Sequence, residues 1–196
     1  MSDLYDRLEE IQGMTRVLAG DVQRLGRQLG DRSIQSEVSD EQAGARRAYI
    51  RAIFALIEAI VEQHKRLLLD LSTSQFVTLA PGVAYVLTEQ GYVVDENGTV
   101  TLRDQYLQLR RKLRAVYRAA AEAFAKPLRI EYGDNGWRLF GNAVKVRDRI
   151  THPMSFADCQ ISGEDLDTVD AANDWFKGVN SEFVRVAREH RKERGW

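Results

Sequence analysis

Residues 48–61 read AYIRAIFALIEAIV, and on a helix the apolar side chains of this run cover almost the whole circumference. A helix that is hydrophobic on every face belongs at the centre of its fold. Its most apolar part, Ala52 to Val61, contains Glu58, follows Arg51 and falls far short of the roughly 20 residues that a bilayer requires. The stretch therefore predicts the central helix of a soluble bundle. Arg51 and Glu58 are seven residues apart and lie near one face of it. Charges in such a place are costly unless they are paired, hydrogen-bonded or open to a cleft.

Working outward, the polar segment DRSIQSEVSD (31–40) reads as a linker, and Ser39 or Asp40 caps the central helix, which runs to about Leu69. Before the linker, Leu4, Leu8, Ile11, Leu18, Val22, Leu25 and Leu29 follow alternating steps of three and four, with only Thr15 breaking the seam. That is a heptad-like stripe on a long first helix. Gly13, Gly20 and Gly26 each cost this helix about 1 kcal/mol relative to Ala, so it depends on packing, against its own domain or against a second chain. The expected organisation is an N-terminal helix and linker over 1–38 and a helical domain over 39–196.

Downstream, Thr78 is expected to cap a short helix from about Leu79 to Glu89, with Pro81 in its first turn. In GYVVDENGTVTL, the Asn-Gly of Asp95 to Gly98 predicts a hairpin between Tyr92–Val94 and Thr99–Leu102. A third long helix is expected over about Asp104–Ala125, ending before Pro127, and a fourth over about Gly136–Thr151. The last begins at a Ser162/Asp165 capping box and carries Leu166, Val169, Phe176, Val179, Phe183 and Val186 as its apolar stripe. The fold class is all-α: a bundle of about five helices with a small β-hairpin insert and a long N-terminal heptad helix.

The 196 residues carry 28 Lys+Arg against 29 Asp+Glu, with 44% hydrophobic and 29% charged residues, the balance of an ordinary globular protein. Disorder and a uniformly basic nucleic-acid binder are both excluded by that balance. A disulfide scaffold is excluded by the single cysteine, Cys159. The start, MSDLYDRLEE, is acidic where a secretory signal would be basic and then apolar, so a cytoplasmic location and no membrane association are expected. There is no phosphate-binding glycine loop, no HExxH and no CxxC, and His64, His152 and His190 stand far apart, so neither a metal nor a cofactor is expected.

One stretch differs: Val146-Arg147-Asp148-Arg149-Ile150-Thr151-His152-Pro153. On the fourth helix Phe140, Val144, Arg147 and Thr151 share one face, which puts a cation on an apolar stripe. Pro153 disfavours α geometry at the residue before it, so the helix ends near Thr151 and the His152 ring can turn beside the guanidinium. The macrodipole at a helix C-terminus favours the imidazolium form, which suits a general acid. Asp148, four residues earlier, is placed to orient the ring, and Arg147 offers a donor fork matched to a phosphate. Together these make an anion-binding acid–base site. The competing reading is structural: Arg147 pairs with a carboxylate such as Glu58, and His152 caps the helix.

Arg-x4-His, with Asp directly after the Arg and Pro after the His, resembles the signature of the HEPN superfamily (higher eukaryotes and prokaryotes nucleotide-binding domains). The likeness extends downstream through RITHPMSFADCQISGEDLDTVDAANDWF, with its His-Pro, short loop, capped last helix and Trp-Phe. Upstream, YIRAIFALIEAI is similar to the family's early helix and GYVVDENG to an insert of one bacterial branch. The resemblance covers roughly Asp40 to Phe183. It implies an all-α bundle, usually a homodimer with two Arg/His motifs meeting at the interface. It also implies a metal-independent ribonuclease of toxin–antitoxin or defence type acting on RNA, with a cognate antitoxin or a nucleotidyltransferase as possible partner.

On that resemblance Arg147 would bind the scissile phosphate, and His152 would serve as general acid or base. Asp148 would fill the polar position after the Arg, and Arg51 and Glu58 would shape the cleft. The alternatives are a non-catalytic interaction module and a nucleotide-binding subunit. Between Arg103 and Arg129 eight basic residues stand against two acidic ones, so Arg110 and Arg114 are further candidates for contact with an RNA backbone.

Overall fold

The computed structural model describes residues 2–29 and 39–196, and side chains in the first helix from Glu9 onward. Among them are six α-helices and one two-stranded antiparallel sheet: α1 (Ser2–Arg27), α2 (Asp40–Thr73), α3 (Pro81–Thr88), β1 (Gln90–Val94), β2 (Val100–Asp104), α4 (Leu109–Ala123), α5 (Asn135–Thr151) and α6 (Gly163–Arg194). The all-α bundle with a hairpin insert is the architecture observed. The linker expected before Ser39 falls mostly outside the described residues.

The chain forms two compact units. One holds Val61–Arg129 and Glu182–Trp196 with the extreme start of α1; the other holds Tyr5–Ile60 and Ile130–Ser181. α2 and α6 each contribute to both.

In the second unit, Ile50, Ile53, Phe54 and Ile57 of α2 are buried, while Arg51, Ala55 and Glu58 are exposed, so this part of α2 buries one face and not the whole circumference its apolar pattern predicts. Ser39 starts the helix with a reciprocal cap: its Oγ accepts from the Gln42 N–H at 3.2 Å, and Gln42 Oε1 accepts from the Ser39 N–H at 3.3 Å. Asp134 caps α5 by accepting from the Trp137 N–H at 2.8 Å. Ser162 and Asp165 form the expected capping box on α6. Trp137, Phe140 and Trp175 pack as an aromatic cluster with ring centroids 5.4–5.8 Å apart. A side chain at Gly136 would run into the Trp175 ring, so glycine is what lets α6 approach α5 here. The stripe on α1 is half-buried from Ile11 to Leu25, Gly26 lies against the Tyr49 ring and Leu29 is buried, so this end of α1 docks on its own unit.

In the first unit, His64, Tyr117, Phe124 and Phe183 stack together, with the His64 and Phe183 rings 3.7 Å apart. Two expected boundaries move. The short helix has Ala80, not Thr78, at its N-cap, and Pro81 is its first residue. The segment 104–108 is not helical: β2 runs to Asp104, and Glu89 captures the connection. Its carbonyl accepts from the Gln105 N–H at 2.7 Å and its carboxylate from the Leu107 N–H at 3.3 Å. Glu89 is buried and is ion-paired with Lys65 at 3.0 Å and with Lys112. The hairpin turn follows its chemistry, with Asp95 accepting from the N–H groups of Asn97 and Thr99 and Gly98 at φ +77°.

Candidate functional site

α5 ends where Pro153 requires it to. Thr151 is its last residue, and His152 is the C-cap with φ −128° and ψ 62°, its N–H donating to the Asp148 carbonyl at 2.9 Å. The imidazole is exposed and makes no hydrogen bond among the described residues.

One turn earlier, the Arg147 guanidinium is held by three groups. Its Nη2 donates to the Glu58 carboxylate, and its Nη1 lies 3.0 Å from Asp148 Oδ1. The guanidinium carbon sits 5.4 Å from the centroid of the Phe54 ring, within cation–π range. The Thr151 hydroxyl turns back along the helix and donates its Oγ1–H to the Arg147 carbonyl at 2.7 Å. Arg147 Nε is buried without a hydrogen-bond partner among the described residues. The side chain is 22% exposed and that of Glu58 48%, so the pair opens to solvent and is not sealed in the core.

The expected orienting contact from Asp148 to the His152 ring is not made, because the Asp148 carboxylate goes to Arg147. The guanidinium one residue away offers it a charge-assisted hydrogen bond. The pairing of Arg147 with Glu58 and the capping position of His152, the structural alternative, are both present.

Arg51, expected to help shape the cleft, is engaged with the main chain of α5. Its Nη2 donates to the Ile150 carbonyl at 2.8 Å, satisfying one of the acceptors left over at the end of α5. Three arginines not singled out from the sequence continue the pattern. Arg46, buried, donates to the Ile161 carbonyl at 2.9 Å, and Arg47 to the Cys159 carbonyl at 3.1 Å. Arg149 reaches the Gln160 carbonyl and Asp165. These groups fasten the loop that follows His152. Inside the loop, Asp158 accepts from the N–H groups of Met154 and Ser155 and from Ser155 Oγ. These bonds hold the Asp158 carboxyl below the usual carboxylate range. A sequence signal for the cluster did exist: Arg47, Arg51, Phe54 and Glu58 are spaced four, three and four on α2, one helical face.

Arg110 and Arg114 lie on α4, in the first unit. His64 is buried between Tyr117 and Phe183, with its Nδ1 3.1 Å from the Tyr117 hydroxyl; burial pushes its pKa down to about 3, so it stays neutral. His190 accepts from Trp196 Nε1 at 2.9 Å, and burial lowers its pKa as well. Among the described residues no three His, Cys, Asp or Glu side chains gather as a metal-binding group, and no helix is long and apolar enough to cross a membrane.

Comparison of the chain with protein-family models, with curated proteins and with solved structures finds no match. The site's geometry therefore carries the functional argument together with the motif resemblance.

Proposed function

We propose that the protein is a metal-independent endoribonuclease of HEPN type, working in the cytoplasm as a toxin or defence effector, with Arg147 and His152 as its catalytic residues. The observation that carries this reading is the contrast within one helix end: a guanidinium fixed by an aromatic ring and two carboxylates, followed one turn later by an exposed imidazole with no partner. RNA supplies its own nucleophile. The 2′-oxygen attacks the adjacent phosphorus while losing its proton, the P–O5′ bond breaks, and the 5′-oxygen leaves with a proton. The products are a 2′,3′-cyclic phosphate and a 5′-hydroxyl. His152 moves one of those protons, an effect typically worth about 10²–10⁴ in rate. Arg147 stabilises the charge that builds on the non-bridging oxygens. Asp148 and Glu58 hold the guanidinium in place, and Arg51 holds the backbone on which His152 sits. A homodimer in which two such motifs meet would supply one imidazole for each proton.

A second reading has its own supporting observation. Glu58 and Asp148 already neutralise Arg147, as in a structural ion-pair cluster, which fits a non-catalytic interaction or nucleotide-binding module acting with a partner protein. Incubating the purified protein and its His152→Ala form with labelled RNA in EDTA separates the two. Cleavage by the wild type alone, leaving cyclic-phosphate ends, is the expected result. Equal cleavage by both proteins, or none across structured and single-stranded RNAs, favours the second reading.

A further inference from the structure

The loop that leaves His152 carries two large apolar side chains that the fold does not use. Met154 is 93% exposed and Phe156 is 82% exposed. Single apolar residues at a surface are ordinary, but the backbone under these two is pinned. Asp158 Oδ2 accepts from the N–H groups of Met154 and Ser155 at 2.9 and 2.8 Å. Phe156 opens a single 3₁₀ turn, Ala157–Cys159, where its carbonyl accepts from the Cys159 N–H at 3.0 Å, and Arg47 holds the Cys159 carbonyl. None of these bonds uses the Phe156 ring, which packs on no other aromatic among the described residues. The ring is thus presented on an ordered backbone, which lowers the entropic cost of covering it.

We infer that Phe156, flanked by Met154, is the platform on which one unpaired base of the RNA strand stacks while a neighbouring phosphate lies at Arg147 and His152. The identity of the strand rests on the ribonuclease reading; the place of the base rests on this loop. Every residue from Thr151 to Ala157 is exposed, so the surface runs unbroken from imidazole to ring. Four residues of chain separate them, at most about 14 Å between Cα atoms, so the two side chains serve nearby nucleotides of one strand.

Charge and size select a base over other occupants. Arg47 and Arg51 bind the Cys159 and Ile150 carbonyls at the two ends of this loop and no carboxylate among the described residues. The Asp158 carboxylate is taken up by its own loop. Aromatic faces beside cations that track a backbone are how single strands are held without sequence readout. Met154 and Phe156 together expose roughly 350 Å², ample for the face of a base but well short of the ~800 Å² that each partner brings to a specific protein interface. A base paired in a duplex has no free face to offer, so the platform selects unpaired RNA.

The test is fluorescence anisotropy with a short single-stranded 2′-O-methyl RNA and with its duplex, at one fixed salt concentration. The methyl group blocks the nucleophile, so binding is read without cleavage. The wild type is expected to prefer the single strand. Phe156→Ala weakens binding of the single strand about 5- to 150-fold and leaves duplex binding unchanged, while Phe156→Tyr binds like the wild type. An abasic nucleotide moved along the strand should, at one position, weaken the wild type by the same factor and add nothing to the loss in Phe156→Ala. Because the ring is exposed, the variant keeps its fold, which an unchanged circular dichroism spectrum checks. Equal binding of the single strand by the wild type and Phe156→Ala, or no binding by either, overturns the inference. So does a change in the mass of Phe156→Ala by light scattering, which would mark the loop as a protein interface. Cleavage of unmodified RNA is scored separately. Phe156-dependent binding without cleavage refutes the ribonuclease reading and leaves the platform standing. Cleavage by Phe156→Ala at the wild-type rate, with substrate below saturation, does the reverse.

Discussion

His64 should make the first unit acid-sensitive well above the pH at which carboxylates titrate. The ring is fully enclosed, stacked on Phe183 at 3.7 Å and 3.1 Å from the Tyr117 hydroxyl, and no anion accompanies it. Burial holds its folded-state pKa at about 3, against 6.5 when the chain is unfolded. A depressed folded value means that the unfolded chain binds the proton first. The stabilisation is therefore complete above pH 6.5 and is lost as the pH falls towards 3. Each pH unit in that window costs about 1.4 kcal/mol. Between pH 7 and pH 5 the loss amounts to about 2 kcal/mol, and a folded value of 4 in place of 3 would hardly alter it, since at pH 5 the folded ring is neutral either way. Such a loss corresponds to about 4–8 °C in melting temperature. The assay is urea unfolding followed by circular dichroism at half-unit steps from pH 8 to 4.5, for the wild type and for His64→Gln, which retains a polar partner for Tyr117. His190 titrates in the same direction in both proteins, so the difference between the two curves isolates His64. The difference should change by about 2 kcal/mol between pH 7 and 5. Parallel curves would refute the argument.

Three further outcomes follow from the packing. Glu89→Gln leaves Lys65 and Lys112 with Glu62 as their remaining carboxylate, 2.8 and 3.8 Å away, so it should destabilise the first unit by about 1–3 kcal/mol and speed amide exchange at Gln105 and Leu107; exchange rates equal to wild type would contradict this. Gly136→Ala drives a methyl into the Trp175 ring and should cost about 1–3 kcal/mol with a shift in tryptophan fluorescence; unchanged emission and melting would show that the ring gives way freely. Asp158→Ala removes the acceptor shared by Met154, Ser155 and the Ser155 hydroxyl, and should raise protease sensitivity between residues 153 and 160 while leaving global melting nearly unchanged; an unaltered digestion pattern would show that the arginine contacts suffice to hold the loop.

Much of the architecture was readable along the chain because it rests on local chemistry. The Ser39 cap, the Ser162/Asp165 capping box, the Asn-Gly turn and the stop enforced by Pro153 act over a few residues and appear where the sequence places them. The boundaries that moved were decided at longer range. Asp104–Gln108 has a helical look, but the buried Glu89, held by two lysines, claims its N–H groups and draws the segment into the hairpin.

The candidate site divides in the same way. The sequence by itself determined that α5 ends beside His152 with Arg147 one turn back, because proline geometry and helical periodicity act within one segment. Only the tertiary structure decided what each charge does there. Asp148 turns to Arg147 and not to the imidazole, Arg51 satisfies the Ile150 carbonyl, and Glu58 and Phe54 complete the guanidinium's surroundings across 89 residues of chain from Glu58 to Arg147. Periodicity fixes which residues share a face. Which opposite charge or open carbonyl lies nearest is settled only when separate helices pack, and Coulomb attraction follows that distance, not the spacing along the chain.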